Sequence, residues 1–80
     1  MSNKQQLYLF DLGLLIKERA LAARRHRDAL AADDPDRDFQ SGRIIAFNEV
    51  ISIMQQQAGG LGIPLSDLQL DDIEPDRDLT

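Results

Sequence analysis

Apolar residues in the first thirty positions recur with a helical period, and they do so on two sides at once. Placed at about 100° per residue, Tyr8, Leu12, Leu15, Ile16, Ala22, Ala23, His26 and Leu30 form one broad stripe. Leu7, Phe10, Leu14 and Leu21 form a second, which is interleaved with Asp11, Glu18 and Arg25 and fades after Leu21. The pattern predicts a helix from about Lys4 to about Ala32. Ser2 with Gln5, or Asn3 with Gln6, supplies a capping residue followed three positions later by glutamine. No proline interrupts the span. Gly13 is its only poor helix former, at a cost of about 1 kcal/mol relative to alanine.

The helical pattern stops at Asp33-Asp34-Pro35-Asp36-Arg37-Asp38. Asp34 is placed to cap a second helix with Pro35 at its first position, where the missing N–H does no harm. Asp36 and Asp38 then lie in the first turn, where negative charge suits the helix dipole. So short a connection predicts antiparallel neighbours. The second helix is expected from Pro35 or Asp38 to Ala58. Phe39, Ala46, Phe47, Val50, Ile51, Ile53, Met54, Ala58 and Leu61 form its apolar face, and Asn48, Glu49, Ser52, Gln55 and Gln56 lie opposite. Arg43 falls at the centre of the apolar face, so it needs a partner if buried. Its position one turn into the helix favours reaching the edge to meet an aspartate of the turn, over a fixed ion pair between subunits. Gly59-Gly60 supplies the stop, and Pro64 forbids continuation.

Residues 64–80 differ in character from the hairpin of residues 1–63. Leu65, Leu68, Leu70 and Ile73 are spaced to lay a partly ordered segment across the helices, and Ser66 with Gln69 is a candidate cap for one turn. Six acids make this tail strongly negative, and its last residues are expected to be loose. Glu74-Pro75-Asp76-Arg77-Asp78 echoes the sequence of the interhelical break forty residues earlier. With no match in the flanks, both copies read as helix-start signals and not as a structural repeat.

The expected architecture is therefore all-α: a two-helix antiparallel hairpin with a short acidic C-terminal tail. A chain of 80 residues buries only about 60% of its surface on folding, and a helix apolar on two sides leaves one side uncovered by a single neighbour. Dimerisation of two hairpins into a four-helix bundle is the expected remedy. Its predicted interface is Leu7, Phe10, Leu14 and Leu21, with Phe47, Ile51 and Met54 beneath in the hairpin core.

Composition narrows the function. Fourteen acidic against nine basic side chains give a net charge of −5, which disfavours non-specific nucleic-acid or acidic-membrane binding. The absence of cysteine excludes a disulfide scaffold and thiolate chemistry. The apolar run Leu7–Ile16 resembles a secretory leader only faintly, because Asp11 interrupts it, and it is too short to span a bilayer. A soluble cytoplasmic protein is the expectation.

Candidate chemistry is sparse. Asp34, Asp36 and Asp38 have the spacing that opens a calcium loop, but Phe39 and Ile45 stand where the loop requires glycine and a bidentate glutamate. His26 lies in Arg24-Arg25-His26-Arg27 on the main apolar stripe; a base needs an orienting partner and a substrate pocket, and it reads as a packed or half-exposed helical side chain. Gly59-Gly60-Leu61-Gly62 follows a helix, so it reads as a cap and not a phosphate loop. No zinc spacing is present, and no base is visible for Ser41 or Ser52. These readings assign no catalytic residue, no metal and no cofactor. The expected function is a small non-enzymatic interaction module, an adaptor or regulator, homodimeric and docking another protein. Possible polar contact residues are Arg24, Arg25, His26, Arg27 and Arg43. The alternative is a nucleic-acid-associated regulator presenting Arg24, Arg25 and Arg27. A third option, a small ligand-binding bundle using His26, Arg43 and Glu49, requires unfilled volume in its core.

Overall fold

Asn3 opens the first helix in the computed structural model, which describes residues 3–80. Its side chain accepts from the Gln6 amide at 2.8 Å, and the Gln6 side chain accepts from the Asn3 amide at 2.9 Å. This reciprocal box satisfies two of the donors that a helix start leaves free. The competing cap, Ser2, lies outside the described residues. Helix α1 runs Lys4–Ala29 and ends a turn earlier than the sequence pattern suggested. Arg37 closes that end: its Nη1 donates to the Leu30 carbonyl at 3.1 Å and, at 2.8 Å, to the Arg27 carbonyl, which also accepts from the Leu30 amide. Helix α2 runs Pro35–Gly60, with Asp34 accepting from the Asp36 amide and Pro35 in the first turn.

The stop of α2 differs from the sequence expectation. Gly59 and Gly60 are the last helical residues, and Gly62, at φ 69°, takes the left-handed conformation. The Ile63 amide donates to the Ala58 carbonyl at 2.8 Å and the Gly62 amide to Gly59 at 3.2 Å. These are the paired bonds of a Schellman motif, which requires the left-handed residue after the cap.

The tail then folds back instead of trailing loose. Leu65–Leu68 forms one 3-10 turn, and Pro75–Asp78 forms a four-residue helix, α3. The 3-10 turn follows Pro64 with no side-chain cap, so Ser66 lies inside it and does not cap it. Its exit is made by Gln69 in the left-handed region, at φ 56°. Both Pro35 and Pro75 begin helices, so the repeated acid-Pro-Asp-Arg-Asp segment serves the same local purpose twice. Leu68, Leu70, Ile73, Pro75 and Leu79 are buried, Leu79 to 0% exposure. Contacts of the tail with α1 advance in step: Leu68 lies at Gly13, Asp72 at Lys17, Asp78 at Arg24 and Thr80 at Arg27. The tail therefore runs alongside α1 in the same direction and acts as a third packing element.

That third element changes which helical faces are interior. The buried positions of α1 are Gly13, Lys17, Ala20 and Ala23. Those of α2 are Gln40, Ile44, Ile51 and Ala58, with Phe47 and Met54 packed against them. Of the broad α1 stripe, only Ala23 is buried, while Tyr8, Leu15, Ala22 and His26 are exposed. On α2, Phe39, Ala46, Val50, Ile53 and Leu61 are exposed, and Ile44, absent from the expected face, is fully buried. A two-body packing would turn each helix's bulkiest stripe inward. With three bodies, the interior of each helix must face the neighbouring helix and the tail together, and small residues on α1 let both approach closely.

No helix among the described residues is long and apolar enough to cross a membrane.

Candidate interaction surface

Two surfaces of the hairpin carry its distinctive chemistry. One grips the tail. The Asn48 Nδ2 donates to the carbonyls of Pro75 and Leu79 at 3.0 and 3.1 Å. The Gln55 Nε2 donates to those of Leu70 and Ile73 at 3.1 and 2.9 Å. Ser52 Oγ donates to Asn48 Oδ1 at 3.3 Å, which turns the amide donor toward the tail. Seven positions apart, Asn48 and Gln55 lie on one face two helical turns from each other. Each amide thus holds a pair of main-chain carbonyls; those of Leu70, Ile73 and Leu79 lie outside any helix, and that of Pro75 also accepts from the Leu79 amide. The apolar periodicity put these side chains on the solvent face. The signal that could have found them is an uncharged amide pair at heptad spacing beside the buried stripe.

On α1 the tail is held by ions. Lys17, only 9% exposed, donates from Nζ to Asp72 Oδ1 at 2.8 Å. Arg24 donates to the Asp78 carbonyl at 3.2 Å and Arg27 to the Thr80 carbonyl at 2.8 Å. The hydrogen bond from Lys17 is the largest influence on the Asp72 carboxyl and holds it below the usual carboxylate range. Asp78 is held well below that range, first by the Arg77 guanidinium and next by the Glu74 amide. A carboxyl depressed in the folded state stabilises the protein above its unfolded pKa, about 3.9 for aspartate, and that contribution is lost as pH falls through the folded value. Acid should therefore loosen the tail at pH values below about 4. Asp72→Asn should lose at most about 1 kcal/mol at neutral pH, because Asp72 is 68% exposed. Urea titrations at pH 7 and pH 3 test this: the gap between wild type and Asp72→Asn should shrink at the lower pH.

The other surface faces away from the tail and is uncovered. On α1, Tyr8 and Leu15 lie roughly half a turn from Gly13, Lys17 and Arg24. On α2, Phe39, Val50, Ile53 and Leu61 lie roughly half a turn from Asn48 and Gln55. All six are exposed, Tyr8 to 65%, Phe39 to 62% and Leu61 to 66%. Because both sets point away from the tail, they open on the same side of the hairpin. Half-buried Leu12, Phe47 and Met54 floor the same side. Large apolar side chains left uncovered in this way make this side the candidate interaction surface.

The residues expected from sequence to form the interface are divided. Leu7 and Phe10 are exposed, in a start of α1 where every residue from Asn3 to Asp11 is exposed. Leu14 and Leu21 are half-buried, and Leu21 packs against the core. Phe10, Leu14 and Leu21 lie on the tail side of α1, within about a third of a turn of the tail-holding positions, and Leu7 lies on the flank between the two surfaces.

The polar contact residues are also divided. Arg24 and Arg27 turn to the tail. Arg25 is exposed, and among the described residues it has no ion-pair partner. His26 Nε2 lies 3.6 Å from Asp36 Oδ2, both about half exposed. Arg43 does not reach an aspartate of the turn. Its Nη1 donates to the buried Gln40 Oε1 at 3.0 Å, and its guanidinium sits 5.8 Å from the Phe47 ring centroid. An amide acceptor and an aromatic face suit a half-buried guanidinium, so no acid is required. Glu49 lies about a third of a turn from Arg43 on α2, and His26 is engaged at the turn, so the three do not converge on one pocket.

No protein-family model matches this chain, and neither does any curated protein or solved structure.

Proposed function

We propose that the protein is a small helical protein–protein interaction module that docks through the uncovered side of its hairpin, and that its first partner is a second copy of itself. The observation that carries the reading is the set of six large apolar side chains left exposed on that side, on both helices at once. The tail already covers the opposite side, so Leu14 and Leu21 need no further cover, whereas Tyr8, Leu15, Phe39 and Val50 do. The molecule measures 49 Å along the hairpin and 16 Å across its narrowest dimension between Cα atoms. With side chains added, such a side reaches the roughly 800 Å² that each partner contributes to a standard interface. Two such sides packed together make a four-helix bundle, with the tails on its outside. The acidic tails then remain available at the surface of the assembly for a further protein.

The nucleic-acid reading draws less support. Two of its three arginines, Arg24 and Arg27, are engaged with tail carbonyls and do not share a surface with Arg25.

Light scattering behind a sizing column tests the proposal. The wild type should have twice the monomer mass at micromolar concentration. Leu15→Glu and Phe39→Glu should reduce it to monomer with helicity retained, since both positions are exposed in the monomer. Phe10→Glu, exposed on the tail side, should leave the mass unchanged. A wild-type monomer at all concentrations would refute self-association, and a dimer disrupted by Phe10→Glu alone would move the surface to the other stripe.

A further inference from the structure

Charge along the uncovered side is distributed unevenly, and this selects between the two ways in which copies can meet. A face-to-face pair has its two-fold axis in the plane of contact, either along the helices or across them. An axis along the helices lays the interhelical turn of one copy over that of the other. Asp33, Asp34, Asp36 and Asp38 all belong to that turn or to the start of α2. Eight acids would then crowd one end of the bundle; of the arginines at that end, Arg24, Arg27 and Arg37 donate to main-chain carbonyls and Arg25 alone is exposed, so acid faces mostly acid, and like charges juxtaposed across an interface oppose association. An axis across the helices lays α1 antiparallel on α1 and sends the turn to the opposite end, over the start of α1. That end holds Lys4.

A second pairing follows from the same geometry. The midpoint of α1 (Lys4–Ala29) lies between Ile16 and Lys17. Reflected about it, Asp11 of one copy falls within about one helical turn of Arg25 of the other, and the symmetry repeats the pair. Asp11 and Arg25 are both exposed and share one flank of the helix. Among the described residues neither has an ion-pair partner within the chain. Reflected about the same midpoint, Arg19 falls level with position 14, beside Leu15 and more than one helical turn from the second Arg19.

Resting on the docking reading above, we infer that two copies associate with their α1 helices antiparallel, across a two-fold axis perpendicular to the hairpin, with Asp11 of each copy facing Arg25 of the other. Exposed charge pairs add little affinity but set register and exclude the alternative.

The chain has no cysteine, so single-cysteine variants read the register directly. Leu15 lies on the uncovered side close to the proposed axis, so Leu15→Cys should form a disulfide-linked dimer under mild oxidation. Asp33→Cys, at the turn, should not. In the other arrangement the outcome reverses, because the turns meet and the two α1 helices lie diagonally apart. Asp11→Arg should weaken the dimer roughly fivefold in Kd, and adding Arg25→Asp should restore it. Cross-linking of Asp33→Cys without Leu15→Cys overturns the inference while the dimer itself stands. Failure of Arg25→Asp to rescue Asp11→Arg removes the charge pair from the argument. A monomeric mass for the unmodified chain removes the docking reading, and the inference with it.

Discussion

Leu70→Ala is expected to destabilise the protein by about 2–5 kcal/mol, although it lies in a segment with almost no regular structure. Leu70 is fully buried, and Ile44, Ile51 and Leu79 share that depth. Removing its branched end opens a void that the surrounding helices fill only in part, so a cavity term adds to the lost transfer energy. Total stability for a chain this size is on the order of 4–12 kcal/mol, so the loss is a large fraction of the whole. Urea unfolding followed by circular dichroism measures it, with the midpoint expected to fall sharply. The contrast is Val50→Ala, at an exposed position, which should shift the monomer's stability by no more than about 0.5 kcal/mol. Should Leu70→Ala and Val50→Ala prove equal, the tail is not part of the cooperative unit.

The second large effect is at Gly13. An added Cβ there would fall inside the Leu68 carbonyl group, with the carbonyl carbon only 2.8 Å away. The neighbour is backbone held by the 3-10 turn, so a flexible side chain cannot simply swing aside. Helix propensity favours alanine over glycine by about 1 kcal/mol, and overpacking opposes it by about 1–3 kcal/mol or more. Because the clash is with backbone it lies toward the upper end of that range, and Gly13→Ala should be destabilising by a net of up to about 2 kcal/mol. Gly42→Ala is the internal control: it is also helical, and nothing lies within 4 Å of its added Cβ. It should stabilise by up to about 1 kcal/mol. Thermal melts of the two variants should therefore move in opposite directions. A stabilised Gly13→Ala would mean that the tail stands off α1 in solution.

These two sites mark the limit of what could be read along the chain. Local signals were legible because their causes are local. Asn3 with Gln6, Asp34 with Pro35, and the glycines after Ala58 act within a few residues of themselves, and the helices begin and end close to where those signals stand. The all-helical hairpin followed from periodicity and from the short connection. Gly13 illustrates the boundary. As a position in a sequence it is only a weak helix former, and its use is to admit Leu68, fifty-five residues away.

The orientation of each helix about its own axis was a tertiary decision. A hydrophobic stripe states how much apolar surface a helix carries and at what angle, but not which part of it a neighbour will take. α1 carries two stripes and α2 a wide one, so several rotations would bury similar areas in a simple pair. Residues 64–80 broke that near-degeneracy. Leu68, Leu70, Ile73 and Leu79 entered the core, and Asn48, Gln55, Lys17, Arg24 and Arg27 bound the main chain and acids between them. The helices had to turn toward that third body, which left Tyr8, Leu15, Phe39 and Leu61 outside. The sequence by itself determined the helices, their caps, the antiparallel hairpin and the surplus of apolar surface. Only the tertiary structure decided on which side that surplus stands, because packing energy depends on all contacting elements at once, while periodicity records each helix alone.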